Sequence, residues 1–180
     1  MARPFDDRVF RRALGRFATG VIVLTAGSRA APHAMTANAF MSGSLRPPLV
    51  VVSVGRRARM HKRLAGVRRF GVSILDHVHE PASRHFAGQA IAGFTPAFAE
   101  LDGVPVLAEA AVTLAARIKH RYHCGDHTLF VGEVRALAVN ATAPPLLFYE
   151  GRYGMLQAAR RPPGGSAEPY PRSSERERFG

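Results

Sequence analysis

Apolar positions in the first segment recur at helical spacing: Val9, Phe10, Ala13, Leu14 and Phe17 fall three or four apart, with Arg residues between them and Asp6 placed to cap the start. This predicts an amphipathic helix over residues 6–17. The period then changes. After Gly20 comes Val21-Ile22-Val23-Leu24-Thr25, a short β-branched run closed by Gly27-Ser28, which reads as a strand and turn. Pro32 to Phe40 reads as a loop, and Leu49-Val50-Val51-Val52-Ser53-Val54 is an apolar run of strand length opened by Pro47-Pro48.

Downstream, the spacing predicts a short basic helix from Arg56 to Leu64, a strand over Phe70–Leu75, and a helix from Glu80 to Phe86 beginning near Pro81. Residues 88–108, rich in Gly and Pro, read mostly as loop with one helical turn. Two long strands follow, Ala111–His123 and Thr128–Val139, joined at Cys124-Gly125-Asp126-His127, where Gly-Asp suits a turn between antiparallel neighbours. Leu146–Tyr149 forms a last apolar run. Many short strands with few long helices predict a mainly β chain, an antiparallel barrel with peripheral helices.

Composition narrows this only a little. A chain of 180 residues that is 47% hydrophobic is the size of one soluble domain, expected over residues 1–157. Residues 158–180 turn to Pro, Gly, Ser, Glu and Arg and are expected to form a disordered tail. No apolar run approaches the ~20 residues that span a bilayer, and the start lacks the apolar stretch of a signal peptide, so a cytoplasmic protein with no membrane contact is expected. The single cysteine agrees with a reducing compartment. The net charge of +12 attracts phosphates of any kind, yet the cationic run Arg56–Arg69 has no interleaved aromatics, which argues against nucleic acid.

No Gly-x-Gly-x-x-Gly follows a strand, and there is neither a Walker motif nor a Gly-x-Ser-x-Gly elbow. His120, His123, Cys124 and His127 are metal-ligand types at close spacing, but the two-residue strand period sends His120 and Cys124 to one face and His123 and His127 to the other, so no metal is expected. Such a residue set borrows its reactivity from a cofactor.

Several segments carry a more specific signal in their order. Met35-Thr36-Ala37-Asn38-Ala39-Phe40, the serine-rich stretch after it, and Pro47-Pro48 opening a strand come first; Phe70–Leu75, Ser83-Arg84-His85-Phe86-Ala87, Gly125-Asp126-His127 and Leu146–Tyr153 follow. Together, over roughly residues 5–156, they resemble the flavin reductase-like, FMN-binding split-barrel family, whose members are reductase components of two-component flavin-dependent monooxygenases.

The resemblance implies a Greek-key split barrel that reduces FMN or FAD with NADH, or with NADPH, and passes the reduced flavin to a partner monooxygenase. It also implies a homodimer with the flavin site near the subunit contact. It assigns Thr36, Ala37, Asn38 and Ala39 to the flavin ring and ribityl chain, Ser53 to a further flavin contact, and Ser83, Arg84 and Phe86 to its phosphate end; Arg59, in the loop and helix start that follow Ser53, suits a phosphate by its charge. Asp126 and His127 are assigned to the nicotinamide, with His127 as the catalytic residue, and Tyr153 to the flavin or the subunit contact. Where the family often has Ser and Asn, this chain has Ala39 and Ser73. A non-catalytic flavin- or haem-binding split barrel and an oxidase of pyridoxamine phosphate type share the barrel; Gly125-Asp126-His127 favours the nicotinamide step.

Overall fold

The computed structural model describes residues 5–89, 91–140 and 144–156. Helix α1 (Asp7–Leu14) leads into β1 (Thr19–Gly20), β2 (Ile22–Ser28), β3 (Ala31–Ala37), β4 (Phe40–Leu45) and β5 (Pro48–Gly55). Helix α2 (Arg59–Gly66), β6 (Arg69–Ile74) and α3 (Glu80–Phe86) come next, then β7 (Phe98–Leu101), β8 (Val104–Leu107), β9 (Val112–Cys124), β10 (His127–Val139), β11 (Leu146–Tyr149) and β12 (Arg152–Met155). Among the described residues no helix is long and apolar enough to cross a membrane. The expected tail over 158–180 lies outside the described residues.

Seven strands form one antiparallel sheet in the order β3-β2-β6-β9-β10-β5-β4, so its two edges, β3 and β4, are consecutive in the chain. Only Asn38 and Ala39 separate them. Three Cα–Cα steps reach at most about 11 Å. The sheet must therefore curl until its edges nearly meet, yet no ladder joins β3 to β4 among the described residues. This is the expected barrel, split at the Asn38-Ala39 seam.

Alternation explains the interior. Along β5, Val50, Val52 and Val54 are buried while Leu49, Val51 and Ser53 face the other way. The interior is filled by these valines with Ile22, Leu24, Val72 and Phe130, by Phe70 from β6, and by Met60 and Leu64, which α2 inserts from one end. Gly132 is required there: a Cβ at this position would stand 2.6 Å from Phe70 Cζ. Strand β2 is buried on both faces, because Val21, Val23, Leu75, Ala82, Leu107 and Leu146 form a second cluster outside the barrel. A strand covered on both sides reads as a continuous apolar run, which is why it was plain in the sequence.

Three local expectations change. Residues 31–37 are a strand; Pro32 lies on the sheet edge, where a missing N–H costs no ladder bond. Residues 98–107 form a hairpin rather than loop, turning at Asp102-Gly103 with φ of +45° and +76°. The first helix is shorter than residues 6–17 and buries none of its residues, although Asp6 caps it by accepting from the Val9 N–H at 2.7 Å. Its apolar residues Val9, Phe10 and Leu14 stay exposed within this single chain.

Candidate functional site: a two-lobed groove at the barrel seam

The seam opens onto two cavities that share Asn38, Phe148 and Gly151 as walls. The first, about 440 Å³, is the more polar of the two: Thr36 and Ala37 of β3, Glu80, Arg84 and Gln89 on and just after α3, and Arg152 and Tyr153 of β12 line it together with Val21 and Ala87. The second, about 750 Å³, is mostly apolar, bounded by Leu14, Phe17, Ala39, Met41, Val51 and Leu129, with Thr19 and Ser53 as polar members and Arg11 as a charged one. Both fall within the ~300–1,000 Å³ usual for small-molecule sites.

The polar lobe is built by side chains far apart in sequence. The Thr36 hydroxyl donates to the Ser83 carbonyl at 2.6 Å, and the Ser83 hydroxyl, fully buried, meets the Tyr153 hydroxyl at 2.8 Å. The Arg84 guanidinium lies over the Tyr153 ring, 4.8 Å from its centroid, and pairs with Glu80. Tyr153 is carried there by a tight β11–β12 turn in which Glu150 and Gly151 have φ of +47° and +79°. That turn is tied to the end of α1: the Glu150 N–H donates to the Gly15 carbonyl at 3.0 Å, and Arg16 pairs with the Glu150 carboxylate at 2.6 Å. Glu150 is the first cause of the raised Arg16 pKa.

In the apolar lobe, Leu129 of β10 stands opposite Ser53 of β5. One pair further along the same face, His127 is opposite Gly55, and its imidazole lies against that glycine: a Cβ on Gly55 would be in ordinary contact with His127 Nε2, at 3.6 Å. Residues two apart on a strand are ~7 Å apart, so His127 stands just past the end of the apolar lobe. Its Nδ1 is 2.8 Å from the Asp126 carboxylate, and this hydrogen bond, with the imidazole charge second, holds the Asp126 pKa below its usual value. Gly125, with φ of +60°, makes the two-residue turn that presents the pair.

Of the residues singled out from sequence, Thr36, Ala37, Asn38, Arg84 and Tyr153 line the polar lobe and Ser83 supports it from beneath. Asn38, Ala39 and Ser53 line the apolar lobe, and Asp126 and His127 lie beyond it. Two do not join them. Arg59 is on α2 near His33, whose pKa is lowered first by burial and then by Arg63 and Arg59. Phe86 packs into the outer core cluster and against Phe98. Ser73 is buried and accepts the Leu107 N–H at 2.8 Å, a purely structural tie. Sequence reasoning missed Phe17, Val51, Leu129, Phe148 and Gly151 as walls. Only the half-exposed face of β5 could have signalled one of them, through its alternation.

The residues suit a flavin. The apolar lobe matches a flat tricyclic ring, and its wall includes Thr19, whose buried Oγ1 has no hydrogen-bond partner. Asn38, offering both donor and acceptor, stands between the lobes, and two arginines line the polar one. A nearly closed antiparallel barrel with a two-lobed groove at its seam is a split-barrel nucleotide-binding fold.

Comparison with known proteins agrees. The flavin reductase like domain family matches residues 14–157. An NADH-dependent flavin reductase of Rhodococcus sp is 43% identical over 154 residues, 84% of this chain and 87% of that protein. An NADH-dependent FAD reductase of Streptomyces globisporus is 42% identical over 161 residues, 83% of this chain and 86% of that protein. The structure of flavin reductase PheA2 superposes with a TM-score of 0.81 at 42% identity, covering 85% of this chain and 99% of that one. The chain belongs to the flavin reductase like domain family.

Proposed function

We propose that this chain is an NADH-dependent flavin reductase that takes FMN or FAD and releases reduced flavin to a partner monooxygenase. The observation that carries this reading is the single groove at the seam, with an apolar lobe that would take the ring, a lobe with Arg84 and Arg152 that would take the phosphate end, and His127 beyond the apolar lobe. A bound flavin supplies the hydride acceptor. The chain supplies the rest: Asn38 orients the ring, Phe17, Val51 and Leu129 keep water from it, and Arg84 and Arg152 meet the phosphate. With Nδ1 engaged by Asp126, His127 keeps Nε2 for placing the nicotinamide. NADH is favoured because both relatives above are described as NADH-dependent. The monooxygenase partner follows a relative at 37% identity, the reductase component of the 4-hydroxyphenylacetate 3-monooxygenase of Thermus thermophilus. A cytoplasmic location fits reliance on NADH.

The homodimer belongs to the same reading. Val9, Phe10, Leu14 and Phe17 are exposed beside the apolar lobe, and a second copy would cover them and complete its wall. The test is to mix the purified protein with NADH or NADPH and free FMN, FAD or riboflavin and to follow nicotinamide absorbance. Flavin-dependent oxidation, faster with NADH, is expected; no acceleration by any flavin refutes the proposal.

A further inference from the structure

Two arginines border the polar lobe, and they are not equivalent. Arg84 is held from several sides. Its Nε donates to Glu80 Oε1 at 2.8 Å, its Nη2 lies 2.6 Å from the same oxygen, its Nη1 donates to Gln89 Oε1 at 3.3 Å, and its guanidinium lies over the Tyr153 ring. Arg152 stands exposed on β12, and its side chain makes no hydrogen bond or ion pair among the described residues. Its place is set by the backbone instead, since it directly follows the tight Glu150-Gly151 turn whose glycine borders both lobes.

Charge and direction are separate contributions to anion binding. An arriving phosphate meets Arg84 and Glu80 together as a pair with no net charge, from which the remaining guanidinium N–H groups can still donate. It meets Arg152 as a whole positive charge, whose pull reaches further and is weakened by salt.

We infer that Arg152 is the residue that draws the flavin's phosphate end into this lobe, while Arg84, neutralised by Glu80, positions Tyr153 and supplies direction more than charge. The family resemblance assigned Arg84 to the phosphate end and left Arg152 unassigned. The inference rests on the reading of the polar lobe as that end, and it holds alike for FMN and FAD, because both bring negative charge there and riboflavin brings none. Arg152 is exposed, and Arg84 and Glu80 are 42% and 37% exposed, so neutral replacements leave the core intact.

The experiment measures Kd for FMN, FAD and riboflavin by calorimetry, at low and at high salt, in the wild-type protein, Arg152→Gln and the double variant Glu80→Gln/Arg84→Gln, which removes the pair without changing net charge. At low salt, Arg152→Gln is expected to raise the FMN and FAD values by roughly three- to tenfold, to leave riboflavin within about twofold, and to flatten the salt dependence of FMN binding. The double variant should raise the FMN and FAD values by less and keep that salt dependence. Arg152 loses this role if its variant leaves the FMN and FAD values or their salt dependence unmoved, or if the double variant flattens the salt dependence as strongly. A silent Arg152→Gln beside a double variant that weakens FMN and FAD but spares riboflavin removes only the role of Arg152. If neither variant separates the phosphorylated flavins from riboflavin, the phosphate-end reading fails with it.

Discussion

The two ends of the groove are built by opposite means. At the polar end, Thr36, Ser83 and Tyr153 belong to β3, α3 and β12, and they meet around a serine that is fully buried. At the other end, Asp126 and His127 are neighbours in sequence on a hairpin turn, with side chains 95% and 46% exposed and one hydrogen bond between them. The first arrangement exists only because the whole barrel is folded; the second needs little more than a Gly-Asp turn. A lobe that must hold a ligand still is fixed by long-range contacts. On the proposed reading, the residue that receives a substrate arriving and leaving in each turnover stays on an open rim.

The sharpest way to break this comparison is at the rim. His127→Ala removes the group proposed to place the nicotinamide and disturbs nothing buried, so kcat should fall by about 10- to 100-fold while the KM for flavin changes little. Single-turnover reduction of flavin by NADH measures it. If flavin KM and kcat shift together, the two ends are not separable.

At the buried end the ordering reverses. Ser83→Ala strips the Tyr153 hydroxyl of its partner and loosens the platform beneath Arg84, costing about 1 kcal/mol of stability. In a domain of this size that lowers Tm by about 2–4 °C, and the KM for flavin should rise a few-fold with kcat nearly kept. Thermal melts and flavin titration test it; a loss confined to kcat would place Ser83 with the chemistry instead.

The same contrast governs what could be read from the chain. Gly125-Asp126-His127 was legible because a hairpin tip is local: turn chemistry and strand period fix it within four residues. Thr36–Ala39 was legible as a motif, but its place at the seam was not, since β3, which carries Thr36 and Ala37, lies on the sheet edge, has Pro32 as its second residue and lacks clean alternation. The β7–β8 hairpin hid for a similar reason, with Pro105 inside a strand and Asp102-Gly103 at its turn. Arg59 was singled out among a run of cations, but charge does not say which way a helix faces; α2 presents its Met60 and Leu64 to the barrel end and leaves Arg59 near His33. The walls Phe17, Leu129 and Phe148 converge only through tertiary folding, and nothing local marks them.

The smallest effect concerns Asp126. Its carboxyl titrates below its usual value because His127 donates to it and carries nearby charge, with Arg57 a lesser contributor. A carboxyl with a depressed folded-state pKa adds stability that is fully present above the unfolded value and is lost as pH falls through the folded one. Wild-type protein and Asp126→Asn should therefore differ in Tm at neutral pH and converge well below pH ~3.9. Because the pair is exposed and screened, the neutral-pH difference should be no more than about 2 °C. A difference that persists in acid would mean that the carboxylate charge is irrelevant and that Asp126 acts through turn geometry alone. A difference of many degrees would show the rim to be as integral to the fold as the Ser83 network.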